Sequence, residues 1–193
     1  MRTFPPSCLR RFASRFARAE RGATAVEFGL VSLPILTMIF GLIEIAMVFL
    51  VATTLDQATQ AAARQIRTGE FQTSAANTKS DFKALVCQRM TWLQAKCNDD
   101  LFVDVQTYSD FATLAAQPPL NPATFDPVNT PTCFKAGQPA DIVLVRTYFQ
   151  WDLITPLLSA AMQNMAGGKR LISSTTAFRN EPFNTNPPIG RAC

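Results

Sequence analysis

The chain has no histidine among its 193 residues. That removes the usual general base near neutral pH, the Ser-His and Cys-His nucleophile pairs, and every metal site that needs an imidazole. Glycine is sparse, at eight residues, and forms no loop suited to cradling phosphate; Gly167-Gly168 reads as a helix stop. The five cysteines include no C-x-x-C pair, so four thiolates around zinc would lack their usual spacing. Asp99, Asp100 and Asp104 lack the spacing of an EF-hand and read as a solvated turn and strand edge. These gaps point away from an enzyme, and no cofactor or metal is expected.

One-sided charge is also missing once the chain is divided. Met1–Gly22 carries six arginines against Glu20, a net +5, and Ala23–Cys193 carries 12 basic and 13 acidic residues, a net −1. The overall +4 is therefore no nucleic-acid footprint. Clustered arginines ahead of an apolar segment stay cytoplasmic and send the downstream chain across the membrane.

That apolar segment is the dominant feature. From Phe28 to Ala52 the only ionisable residue is Glu44. Twenty-five helical residues span about 37 Å, enough to cross a hydrocarbon core of about 30 Å. The run is far longer than the 7–15 residues of a signal-peptide core. Pro34 cannot donate to the Leu30 carbonyl and is expected to bend or loosen the helix. Gly29, Ser32 and Gly41 would let another helix come close. At helical rise, Glu44 lies about 26 Å beyond Glu27, which suggests a hydrated carboxylate at the outer interface, with a specific pairing role as the alternative.

The entrance to this segment carries a specific string. Gly22 joins the basic leader to the helix, and Glu27 follows five residues later inside the apolar entrance. Gly22-Ala23-Thr24-Ala25-Val26-Glu27-Phe28, with Leu33-Pro34 and Phe40-Gly41-Leu42-Ile43-Glu44 downstream, resembles the TadE-like minor pilins (pseudopilins) of the tight-adherence pilus. Ala61-Ala62-Ala63-Arg64 is similar to the segment those proteins carry after the membrane helix, and Val143–Phe149, Thr155-Pro156-Leu157-Leu158 and Ala177–Pro182 are similar to their corresponding distal runs.

The resemblance implies cleavage between Gly22 and Ala23 by a prepilin peptidase, leaving Glu27 as the fifth mature residue and Glu27-Phe28 in the assembly register. A carboxylate in lipid costs at least about 2.5–3.5 kcal/mol on insertion scales unless paired. The new α-amino group of Ala23, in the same or a neighbouring subunit, would be its mate. The alternative is an uncleaved signal anchor whose Glu27 snorkels to the cytoplasmic face, tethering a binding or secretion-accessory domain. The implied partners are the peptidase, the major pilin and other minor pilins, the inner-membrane assembly platform and membrane lipid, with no nucleic acid. The implied place is the bacterial inner membrane, single-pass, N-terminus cytoplasmic and C-terminal domain periplasmic, with incorporation into a surface pilus as a further step.

The domains expected are a cleaved leader at 1–22, a membrane helix at 23–52 and an extracytoplasmic domain at 53–193. The helix should continue to about Thr68, with Leu55, Ala58, Ala62 and Ile66 as a thin apolar stripe and Gly69 as its stop. Thr73–Lys79 reads as a loop. Asp81–Leu93 reads as an amphipathic helix capped by Thr78 or Ser80. Strands are expected at Leu101–Tyr108, Ile142–Trp151 and Leu171–Phe178, a helix at Thr155–Met165, and a proline-rich connection over Gln117–Pro139. The fold class is α+β: a long N-terminal helix on a small antiparallel sheet with two shorter helices, lollipop-shaped as in pilins. With Cys8 in the leader, Cys87, Cys97, Cys133 and Cys193 remain outside the membrane, where oxidising conditions favour disulfides. Of three possible pairings, Cys87–Cys97 is expected from proximity, and Cys133–Cys193 would pin the tail.

Overall fold

The computed structural model describes residues 20–75, 77–118, 120–126, 129 and 132–184. The architecture is α+β. Helix α1 (Glu20–Arg67) is followed by α2 (Glu70–Thr73), α3 (Lys79–Arg89), α4 (Gln94–Asp100), strand β1 (Leu101–Tyr108), α5 (Phe111–Ala115), β2 (Ile142–Asp152), α6 (Pro156–Met162) and β3 (Lys169–Arg179). The sheet is antiparallel in the order β1-β2-β3, with Val105 opposite Val145 and Val145 opposite Thr176. The chain divides into two compact units, 1–43 and 44–193.

In the first unit, α1 is an apolar rod. Val26, Phe28, Leu30, Leu33 and Phe40 are all more than half exposed. The helix continues through Pro34, and Thr37 Oγ1 donates to the Leu33 carbonyl at 2.8 Å.

In the second unit the same helix becomes a spine. Val51, Leu55, Ala58, Thr59, Ala62, Ala63 and Ile66 are buried, a stripe at spacings of three and four. They share a core with Val103 and Val105 of β1, Val143, Val145 and Phe149 of β2, and Ile172 of β3. Alanines in the stripe bring the helix close enough for polar ties: Thr59 Oγ1 and Thr147 Oγ1 are 2.6 Å apart in the buried interior, and Ser174 Oγ donates to Asp56 at 2.8 Å. The sheet's other face carries a smaller cluster of Phe125, Tyr148 and Leu171.

The far end of α1 is closed by the chain itself. Gly69 takes φ +79°, the left-handed stop. A Cβ there would lie 2.2 Å from Cγ of Phe183. The Glu181 amide donates to the Arg67 carbonyl at 2.8 Å, and the Arg67 and Glu181 side chains form an ion pair at 3.2 Å.

Two differences from the sequence reading have physical causes. More than two short helices follow α1: α4 carries little signal of its own because QAKCNDD is short and largely polar, and it is fastened to α3 by a Cys87–Cys97 disulfide. Asp104, expected at a solvated edge, is buried; it accepts from the Cys133 amide at 2.8 Å and from Gln106 Nε2 at 3.0 Å. It is covered because the proline-rich connection returns along the outer edge of β1, where Val105 and Phe134 form a parallel bridge. That bridge also closes one of the two edges that a three-stranded sheet would leave open. Cys133 is disulfide-bonded; Cys193, the partner expected for it, lies outside the described residues, as do Cys8 and the leader up to Ala19.

Helix α3 starts on a capping box. The Thr78 side chain accepts from the Asp81 amide, and the Asp81 carboxylate accepts from the Thr78 amide and hydroxyl. The Thr78 hydroxyl and amide hold the Asp81 carboxyl below its ordinary value of 3.8. A lowered folded pKa contributes stability that is present above the unfolded value and lost as pH falls through the folded one. Denaturation midpoints of the wild type should therefore drop towards those of Asp81→Asn once pH falls below 3.8, with the gap between them constant above about pH 5.

Candidate functional site

Two places on α1 concentrate the functional candidates. The first is the stretch Gly22–Phe28. The Gly22–Ala23 peptide bond lies within α1. Glycine costs about 1 kcal/mol relative to alanine in a helix, which makes the helix easier to unwind at this bond. Nothing lies within 4 Å of where a Gly22 Cβ would be. Glu27 is exposed, and Phe28 beside it is 74 % exposed. Pro34 is exposed one and a half turns further on. The structure thus sets Gly22, Ala23, Glu27 and Phe28 within two turns of one helix and gives Glu27 no ion-pair partner among the described residues.

The second place is Glu44, where the structure departs from the sequence reading. Its side chain is 2 % exposed, not hydrated. One carboxyl oxygen, Oε2, accepts three hydrogen bonds: from the Ile154 amide at 3.0 Å, the Thr155 amide at 2.9 Å and the Thr155 hydroxyl at 2.9 Å. Thr155 is the N-cap residue of α6, and its hydroxyl makes no capping bond to that helix. Proline at the first helical position already removes one orphan donor, which leaves the hydroxyl available to Glu44. The carboxyl group therefore fixes the chain where β2 turns into α6, bridging residues 110 and 111 positions apart. Oε1 has no hydrogen-bond partner among the described residues.

The sequence carries no sign of this contact. A lone acid in an apolar run reads as interfacial on hydropathy, because its partners are main-chain amides of a distant loop. The remaining site candidates, Cys87 and Cys97, join α3 to α4 behind the sheet with their Cα atoms 5.5 Å apart, and Cys97 is fully buried. No group of three or more acidic or cysteine ligands able to hold a metal occurs among the described residues.

Truncating Glu44 to alanine strands two partly buried amides, each worth about 1–3 kcal/mol when unsatisfied. Glu44→Ala should destabilise the full chain in detergent by about 2–5 kcal/mol in denaturant titrations, and Glu44→Gln, which keeps an acceptor oxygen, by clearly less. Equal midpoints for wild type and Glu44→Ala would remove the clamp.

Among the described residues, α1 is the one helix long and apolar enough to cross a membrane. No curated protein and no solved structure matches the chain. The family model described as TadE-like protein does match, over residues 22–64. The matched stretch opens on Gly22, contains both Glu27 and Glu44, and closes inside the buried half of α1. Through residues 22–64 the chain is similar to the TadE-like proteins.

Proposed function

We propose that this chain is a minor pilin of a tight-adherence pilus, made as a membrane precursor, cut after Gly22 by a prepilin peptidase, and drawn into a bundle of like helices during pilus assembly or priming. The observation that carries this reading is the placement of Gly22 and Glu27 at the head of an apolar helix inside the TadE-like stretch. The exposed flank of that helix supports it. Side chains such as Phe28, Leu33 and Met38 are more than two-thirds exposed, and an apolar surface of this extent needs lipid or other helices against it. Lipid serves the precursor, and neighbouring helices serve the assembled state.

Removing residues 1–22 discards six arginines that would otherwise hold the N-terminus in the cytoplasm. It also creates an ammonium group on Ala23. In a low-dielectric bundle, an ammonium and a carboxylate within about 4 Å attract strongly enough to offset much of their desolvation. The pairing works between subunits only at one axial stagger, so Glu27 sets register as single buried polar groups do in coiled coils. The partners in this scheme are the major pilin, other minor pilins and the inner-membrane assembly platform. The C-terminal domain is periplasmic before assembly. The chain acts as a substrate of processing and a structural subunit, not as a catalyst, in keeping with its lack of histidine.

Intact-mass measurement on the protein purified from its native membranes should give a chain beginning at Ala23. A mature protein that still starts at Met1 would overturn the reading and leave a tethered periplasmic domain. Glu27→Ala should leave the amount of membrane-inserted protein unchanged while reducing surface pili by tenfold or more, about 1.4 kcal/mol per tenfold in the assembly equilibrium. Piliation at wild-type levels in that variant would exclude the register role.

A further inference from the structure

The clamp at Glu44 has a position as well as a strength, and that position bears on lipid. Counting from Phe28, a hydrocarbon core that takes about 20 helical residues ends near Met47. Counting from Gly22, it ends near Gly41, and Glu44 then lies about 4–5 Å outside, still within the headgroup layer. On either count the carboxyl of Glu44 is at the outer margin of the bilayer. Helical side chains lean towards the helix N-terminus, so the loop that Glu44 grips is held at this depth or deeper.

Apolar side chains are exposed close to the clamp in the chain, beside the ion pairs of Asp152 with Lys96 and Lys169. Ile154, whose amide Glu44 holds, leaves its side chain 65 % exposed. On the helix beside it, Ile45, Phe49 and Leu50 are 57 %, 69 % and 47 % exposed, although the folded domain has already begun there. About 15 Å further along the axis, Trp92 is 45 % exposed and donates its indole N–H to Thr54 at 3.3 Å. Apolar side chains at the depth of Glu44 suit the outer margin of the hydrocarbon core, and Trp92 lies beyond the headgroup layer, outside the proposed contact.

We propose that the turn Leu153–Thr155 is a lipid-seated foot of the periplasmic domain: Glu44 holds it against the helix so that Ile154 enters the boundary between headgroups and acyl chains. The membrane precursor then meets lipid at two points, the helix and the foot. The occupant is phospholipid, because Glu44 and Ile45 follow directly in α1 on the apolar run that lipid must already cover. The inference rests on the membrane reading of α1, but not on cleavage or pilus assembly.

Site-specific labelling tests it. The full-length chain with Cys8→Ser would carry one added cysteine, at Ile154, at Phe40 in the apolar helix, or at Phe111, an exposed residue on α5. Each is labelled with an environment-sensitive fluorophore and reconstituted in phosphatidylcholine–phosphatidylglycerol vesicles. The Ile154 probe should resemble the Phe40 probe: emission shifted to the blue, iodide quenching reduced severalfold relative to Phe111, and strong quenching by nitroxide-bearing lipid. Iodide access at Ile154 equal to that at Phe111, with Phe40 protected, would overturn the foot and leave the membrane helix standing. Protection of Ile154 from iodide without quenching by nitroxide lipid would also overturn it, in favour of a second copy of the chain. Iodide access at all three sites would overturn the membrane reading and the foot with it.

Discussion

A single helix has to satisfy two surroundings, and the rest of the molecule depends on how it does so. Up to Ile43, α1 presents apolar side chains outward and has no core to give them to. From Val51 onward the same helix supplies the buried stripe on which the sheet is laid. Glu44 stands at the change. A carboxyl group inside an apolar run would be expensive in either medium if left alone. Its three donors from Ile154 and Thr155 turn that liability into the point where domain and helix are fastened.

The domain built on this spine is small, and it is closed by ties rather than by bulk. Thr59 with Thr147, and Asp56 with Ser174, tie the helix to the middle and edge strands at defined heights. The Cys87–Cys97 bridge gives the short helix α4 a place that its own sequence could not secure. The connection between β1 and β2 contributes Phe125 to one face of the sheet and Phe134 to the other core. A stretch with little secondary structure thus acts as packing material on both sides.

Much of this is legible in the sequence because it depends on local pattern. The alternation Leu101, Val103, Val105 marks β1; the caps around Thr78 mark the start of α3; the small-residue stripe Leu55, Ala58, Ala62, Ile66 marks the buried side of α1. The failures share one cause. Glu44 and Asp104 are polar residues whose burial is decided by partners 29 to 111 positions away, and no periodicity within a window of a dozen residues carries that information. Asp104 looks like the solvent side of a strand until the connection folds back over it. At the candidate processing site the opposite holds. Gly22 and Glu27 are recognisable from the string alone, and the fold adds only that they share one helix, with Glu27 exposed.

The strap formed by Glu181 and Phe183 over Arg67 and Gly69 has a temporal meaning. The spine helix is synthesised early, yet its lower fastening waits for residue 155 and its upper one for residue 183. In a nascent chain the spine therefore lacks its closing contacts until residues 181–183 have been made. Until then its alanine-lined stripe stays bare, and the domain completes itself in a single late step, from both ends of the helix inward.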